Sequence, residues 1–93
     1  MIFAIDIDGT LTEETEGWDY ANRTPNFKRI EGVNRLHAEG HHILLFTARF
    51  EEDREVTTFW LRKFGVRYHN LILGKPQYDF IIDDKSLTLS HLE

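Results

Sequence analysis

Four short apolar runs punctuate the chain: Ile2-Phe3-Ala4-Ile5, His42-Ile43-Leu44-Leu45-Phe46, Asn70-Leu71-Ile72-Leu73 and Phe80-Ile81-Ile82. Each is continuously apolar rather than alternating, the pattern of strands buried on both faces of a parallel sheet. The predicted strands are Ile2–Ile7, His42–Thr47, Asn70–Leu73 and Asp79–Asp83. Two stretches of helical period separate the first three. Thr24-Pro25 opens the first, Thr as N-cap and Pro at the first helical position. Phe27, Ile30, Val33 and Leu36 fall on one face, and Gly40 ends the helix. Glu51, Glu52 and Asp53 give the second helix an acidic first turn that suits its dipole; Val56, Phe59, Trp60 and Phe64 form its stripe, and Gly65 closes it. The polar stretch Leu11–Arg23, with Trp18 and Tyr20 embedded, reads as an irregular loop, and the residues after Lys85 as a short helical turn.

Strands alternating with helices predict an α/β fold: a three-layer, Rossmann-like parallel sheet with helices on both faces. Right-handed crossovers bring the strand C-termini to one edge, where open α/β sheets bind their ligands. Asp6, Asp8, Thr47 and Asp83 are expected to converge there. A chain of 93 residues is one domain with a modest core. It has no Cys, hence no disulfide and no thiol nucleophile. A reducing, cytoplasmic location without membrane contact is the expectation: no basic stretch precedes the first apolar run, and no run nears membrane-spanning length. The net charge of −5 disfavours nucleic acid as a partner.

The chemistry starts at Asp6-Ile7-Asp8-Gly9-Thr10. Two carboxylates one residue apart at the end of a buried strand repel each other and lose hydration. A hard divalent cation, Mg²⁺ above all, is their natural partner. The simpler alternative is a strand ending in an Asp-Gly turn. Farther along, Thr47-Ala48-Arg49 closes the second apolar run, Gly74-Lys75-Pro76 follows the third, and Asp83-Asp84 closes the fourth.

In this order the four motifs resemble those of the haloacid dehalogenase superfamily of phosphotransferases, and the resemblance runs from Ile2 to about Ser86. It implies a strand order of 3-2-1-4. The gaps after the first and third strands are too short for a cap domain, so the chain resembles the minimal, capless type. Its Thr-Ala-Arg and Ile-Asp-Asp-Lys spellings are most similar to those of capsular polysaccharide biosynthesis phosphatases. One departure stands out: no helix separates the third and fourth strands, so Lys75 comes from a loop. The four residues from Lys75 to Asp79 span at most about 14 Å, about enough to reach the foot of a short fourth strand.

The family pattern implies a role for each motif residue. Asp6 is the nucleophile that forms an aspartyl-phosphate. Asp8 protonates the leaving alcohol and later takes a proton from water. Thr47 donates to a phosphoryl oxygen, and Lys75 offsets the charge on the equatorial oxygens. Mg²⁺ is held by Asp6, the Asp8 carbonyl and Asp83, with Asp84 as the alternative ligand or a supporting acid. Gly9, Thr10 and Ala48 are further substrate-binding positions beside these motifs. Arg49 makes a bidentate contact with a substrate phosphate or carboxylate, or else pairs with Glu51, Glu52 or Asp53. Trp18 and Tyr20 are candidates for substrate or subunit contacts, in a loop expected to lie over the site with a neighbouring subunit closing it. The five histidines show no metal-site spacing.

The expected function is a Mg²⁺-dependent phosphomonoesterase acting on a small phosphorylated metabolite, a sugar phosphate among the candidates, in a homo-oligomer. The alternatives are a nucleotide or polynucleotide 3′-phosphatase and a catalytically silent partner-binding domain on the same scaffold. A response-regulator receiver domain also uses Asp, Mg²⁺, Thr and Lys. Its acidic pair comes first in the chain, whereas here one closes the series after Lys75.

Overall fold

Burial alternates along the strands of the computed structural model, which describes residues 1–93. Strands β1 (Ile2–Ile5), β2 (His42–Phe46) and β3 (Asn70–Ile72) form one parallel sheet in the order β1-β2-β3. The register sets Phe3 beside Ile43, Ile5 beside Leu45, and Leu45 beside Leu71. On this face Ile5, Ile43 and Leu45 are buried, packed with Ile30 and Val33 of helix α1 (Phe27–Ala38) and Trp60 and Leu61 of helix α2 (Arg54–Lys63). On the other face Ile2, Ala4 and Ile72 are exposed, and Leu44 and Phe46 are half-buried.

The three-layer expectation is therefore corrected to two layers. Both crossovers step in the same direction across the sheet, and right-handed connections then lay both helices on the same side. Continuous apolarity arises here without double burial.

The fourth predicted strand does not form either. Residues 79–83 take no strand conformation, and Phe80, Ile81 and Ile82 are exposed. β1 is left as a sheet edge, so the order 3-2-1-4 is reduced to 3-2-1. The connection explains this. The Gly74 N–H donates to the Arg49 carbonyl (2.7 Å) and the Lys75 N–H to the Thr47 carbonyl (2.9 Å), pinning the chain at the upper edge beyond β2. From that anchor the chain runs on without pairing to β1.

Two helix details also differ. Asn26, not Thr24, caps α1, its side chain accepting from the Arg29 N–H (3.1 Å). Thr24 is turned to Glu14, and Pro25 bridges Thr12 in a short antiparallel contact. In α2 the buried positions are Thr57, Trp60 and Leu61, whereas Phe59 is exposed; a 3₁₀ turn at Glu51–Asp53 precedes the helix. His37, His69 and His42 stack ring on ring at the edge opposite the motif residues, with centroids 4.6 and 4.5 Å apart.

The C-terminal turn forms as expected, a 3₁₀ segment at Leu89–Leu92 that buries Leu92 against α1. Gly32 permits this approach, because a Cβ there would overlap the Leu92 carbonyl. Gly32→Ala should lower stability by about 1–2 kcal/mol, since overpacking against backbone outweighs the gain of about 1 kcal/mol in helix propensity. Thermal melting and limited proteolysis after Lys85 check this, and a raised melting temperature would contradict it. No helix is long and apolar enough to cross a membrane.

Candidate active site

Beyond the last residue of β1 the chain turns sharply. The Ile7 carbonyl accepts from the N–H groups of Thr10, Leu11 and Thr12. Gly9 has φ +84°, a backbone conformation that favours glycine, and a Cβ there would also displace the Thr15 side-chain methyl. The turn lifts Asp6 and Asp8 to the upper edge of the sheet. There they line a cleft of about 500 Å³ with Thr47, Ala48 and Arg49 from the end of β2, Lys75 from the loop after β3, and Trp18, Tyr20 and Arg23 from the loop after β1.

Asp6 and Lys75 form one charge pair, the Lys75 Nζ 3.3 Å from Asp6 Oδ1. Burial pushes the Asp6 carboxyl above its ordinary range, against the pull of Lys75. Lys75 itself is largely buried, with Nζ 5.5 Å from the Phe46 ring centre and 5.3 Å from that of Tyr78. Thr47 is buried; its Oγ1 accepts from the Arg49 N–H (3.2 Å), which leaves the hydroxyl proton free to donate.

Asp8 belongs to a second, tighter cluster. Arg49 grips it with two bonds, Nε to Oδ2 at 2.9 Å and Nη2 to Oδ1 at 2.7 Å, while Nη1 donates to Thr57 Oγ1 of α2 at 2.9 Å. The Arg49 guanidinium lies 4.0 Å from the centre of the Tyr20 ring, and Arg23 Nε stands 3.3 Å from Asp8 Oδ1. Arg49 is only 2% exposed. Its side-chain partners are thus Asp8 and Thr57, not Glu51, Glu52 or Asp53, and it stands in the wall of the cleft. A partner 41 residues away has no local signature in the sequence.

Other predicted positions are corrected. Tyr20 is buried in the cleft wall with the Arg23 and Arg49 guanidinium groups over its ring, so it supports the Asp8 cluster. The Gly9 N–H is spent on Thr12 Oγ1 and the Thr10 N–H on the Ile7 carbonyl; Thr10 is buried outside the cleft. Asp83 and Asp84 are exposed in a turn where the Lys85 N–H donates to Asp83 Oδ1 (3.1 Å). They do not join Asp6, and no three acidic or imidazole side chains are grouped so as to hold a metal ion. The cause is the missing fourth strand.

Trp18 does sit on the cleft, as does the loop that bears it. Phe50 and Tyr78 line it too and were missed. Phe50 directly follows Thr47-Ala48-Arg49, and Tyr78 lies three residues after Lys75, so proximity to the motifs was the available signal.

A crystal structure of a structural-genomics target from Vibrio cholerae superposes on this fold with a TM-score of 0.84 and 31% identity, over 98% of this chain and 85% of that one. Two structures of the Pnkp1/Rnl/Hen1 complex, one described as an RNA repair complex, share the fold alone. One matches at TM-score 0.68 and 21% identity over 77% of this chain and 24% of that one; the other at 0.69 and 20% over 89% and 30%. No family model and no curated protein matches the chain.

Proposed function

We propose that this chain, which belongs to one family with the Vibrio cholerae protein, is a phosphomonoesterase that works through Asp6. The observation that carries the reading is the Asp6–Lys75 pair in an open cleft beside the Thr47 hydroxyl and the Asp8 carboxylate. A nucleophilic carboxylate, a hydroxyl donor, a cation and a second acid within one cleft are the parts that transfer of a phosphoryl group to a carboxylate needs.

The sequence of events follows from these groups. A phosphate monoester enters with its phosphoryl oxygens toward Lys75 and Thr47. An Asp6 oxygen attacks phosphorus, and the bond from phosphorus to the ester oxygen breaks. The leaving alkoxide takes a proton held by Asp8. Water then attacks the aspartyl-phosphate, giving its proton back to Asp8, and the bond from phosphorus to the Asp6 oxygen breaks to release inorganic phosphate. Both Asp8 oxygens accept from Arg49 and Oδ1 also faces Arg23 Nε at 3.3 Å, so Oδ2 is the oxygen with a further acceptor site at which a proton can reside. Arg49, on this reading, holds Asp8 in position.

Mg²⁺ is part of the proposal. The Asp6 carboxylate and the Asp8 carbonyl are hard oxygen donors suited to it, whereas Asp83 and Asp84 do not join them in this arrangement. When bound, the ion would offset the repulsion between nucleophile and phosphoryl oxygens.

The direct test is hydrolysis of an aryl phosphate and a set of sugar and nucleoside phosphates, with Mg²⁺ and with chelator. Activity should vanish in chelator and return with Mg²⁺; full activity in chelator would remove the ion from the proposal. Lys75→Ala should cost on the order of 10²-fold or more in kcat, as for loss of a preorganised charge-stabilising group. A change within twofold would place Lys75 outside the chemistry.

A second reading, a partner-binding domain on the same scaffold, draws on one observation. The bare sheet face and the run Phe80–Ile82 leave apolar surface exposed around β1. Self-association through that surface fits either reading. No turnover on any phosphate ester, together with concentration-dependent assembly, would favour the second.

A further inference from the structure

The cleft carries more exposed aromatic surface than phosphoryl transfer needs. Trp18 is 72% exposed, and Phe50 and Tyr78 are each 52% exposed. They come from three separate segments, after β1, β2 and β3, yet line the same cleft as Asp6 and Lys75. The Trp18 and Phe50 rings are nearly parallel, 15° apart in plane with centroids separated by 6.5 Å.

This surface is held in place from the core outward. The buried Trp60 indole donates to the Arg23 carbonyl at 2.9 Å. The Arg23 guanidinium in turn donates to the carbonyls of Glu16 and Gly17, the two residues before Trp18. Trp18 therefore stands on a pinned loop, which lowers the entropy lost when a ligand stacks on it.

The charges of the cleft narrow the ligand further. Among its lining residues Arg23, Arg49 and Lys75 are cationic, and the first two are buried against Asp8. Lys75, which also faces Asp6 at 3.3 Å, is the one cation not engaged with Asp8, while Glu16 adds a negative charge to the rim. One phosphoryl group can be neutralised there, whereas a chain of phosphates would meet unscreened repulsion. Resting on the phosphatase reading, we propose that the substrate is a nucleoside monophosphate whose flat base stacks on Trp18 and Phe50. A pyranose presents mainly hydroxyl groups that need directed partners, and this rim offers ring faces instead.

The test is calorimetric titration of Asp6→Asn protein, which on the phosphatase reading binds without turnover, with Mg²⁺ present. The probes are adenosine and guanosine 5′-monophosphates, their nucleosides, glucose and mannose 6-phosphates, and adenosine triphosphate. The monophosphates should bind at least tenfold more tightly than the sugar phosphates and than the triphosphate, and the nucleosides should bind detectably without phosphate. Trp18→Ala and Phe50→Ala, both at exposed positions, should each weaken monophosphate binding by about 5- to 150-fold and leave sugar-phosphate binding unchanged. Sugar phosphates binding as tightly as the nucleotides, or nucleotide binding indifferent to both substitutions, would overturn the inference. Two outcomes separate it from the reading beneath it. Nucleoside binding without hydrolysis of any ester sinks the phosphatase and keeps the stacking site. Aryl-phosphate hydrolysis with no nucleotide binding does the reverse.

Discussion

Replacing Asp6 by Asn is expected to abolish turnover and, in the ligand-free protein, to raise the melting temperature. The activity should fall by at least ~10³-fold, as removal of a covalent nucleophile does, and no acid-stable or hydroxylamine-sensitive phosphoprotein should accumulate. The stability change follows from burial, which pushes the Asp6 carboxyl above its ordinary value near 3.8 despite Lys75 at 3.3 Å. A carboxyl whose folded value is raised contributes stability that is present below its unfolded value and lost as pH rises through the folded one. Asn is neutral throughout and keeps that contribution. The variant and the parent should therefore melt together near pH 3, and the variant should gain as pH rises toward 7. Melting curves across that range, beside phosphatase assays, check both halves. Near-normal turnover would show that Asp6 is not the nucleophile, and a variant less stable at pH 7 would show that the Lys75 pair outweighs desolvation.

Arg49→Met should strike the fold harder than any other change at the cleft. It removes both bonds to Asp8, the bond to Thr57 and the stack on Tyr20. Breaking a buried pair from one side costs about 3–5 kcal/mol, a large share of the ~5–15 kcal/mol that holds a domain together. For a domain near this size the melting temperature should drop by more than ~12 °C. Adding Asp8→Asn removes the stranded charge, so the double variant should be more stable than the sum of the single losses. Arg49→Met with an unchanged melting temperature and a raised KM would mean that Arg49 serves the ligand instead. The two predictions differ in kind. On the phosphatase reading, Asp6 is a site where function strains the fold, and Arg49 is one where the fold holds Asp8 in place.

Much of the site was legible because its signals are local. A strand ends where its apolar run ends, so Asp6, Asp8 and Thr47 had to lie just past β1 and β2, and parallel pairing brought them to one edge. Lys75 was legible from its Gly-Lys-Pro setting, and its arrival from a loop followed from the short connection. The C-terminal turn was legible too, although its packing on Gly32 was not.

What sequence alone determined is the α/β class, the three parallel strands with their helices, and the acid-bearing turn after the first strand. All of these rest on periodicity and on residues a few positions apart. Only the tertiary structure decided that both helices share one face, because a continuous apolar run does not say how many faces a sheet has covered. It also decided that Phe80–Asp83 stays off the sheet and keeps Asp83 and Asp84 from Asp6. That outcome depends on where the Lys75 backbone is pinned, a bond to Thr47 across 28 residues. The pairing of Arg49 with Asp8 and the aromatic rim of Trp18, Phe50 and Tyr78 are of the same kind. Their partners come from separate segments, and no local pattern encodes a distance through space.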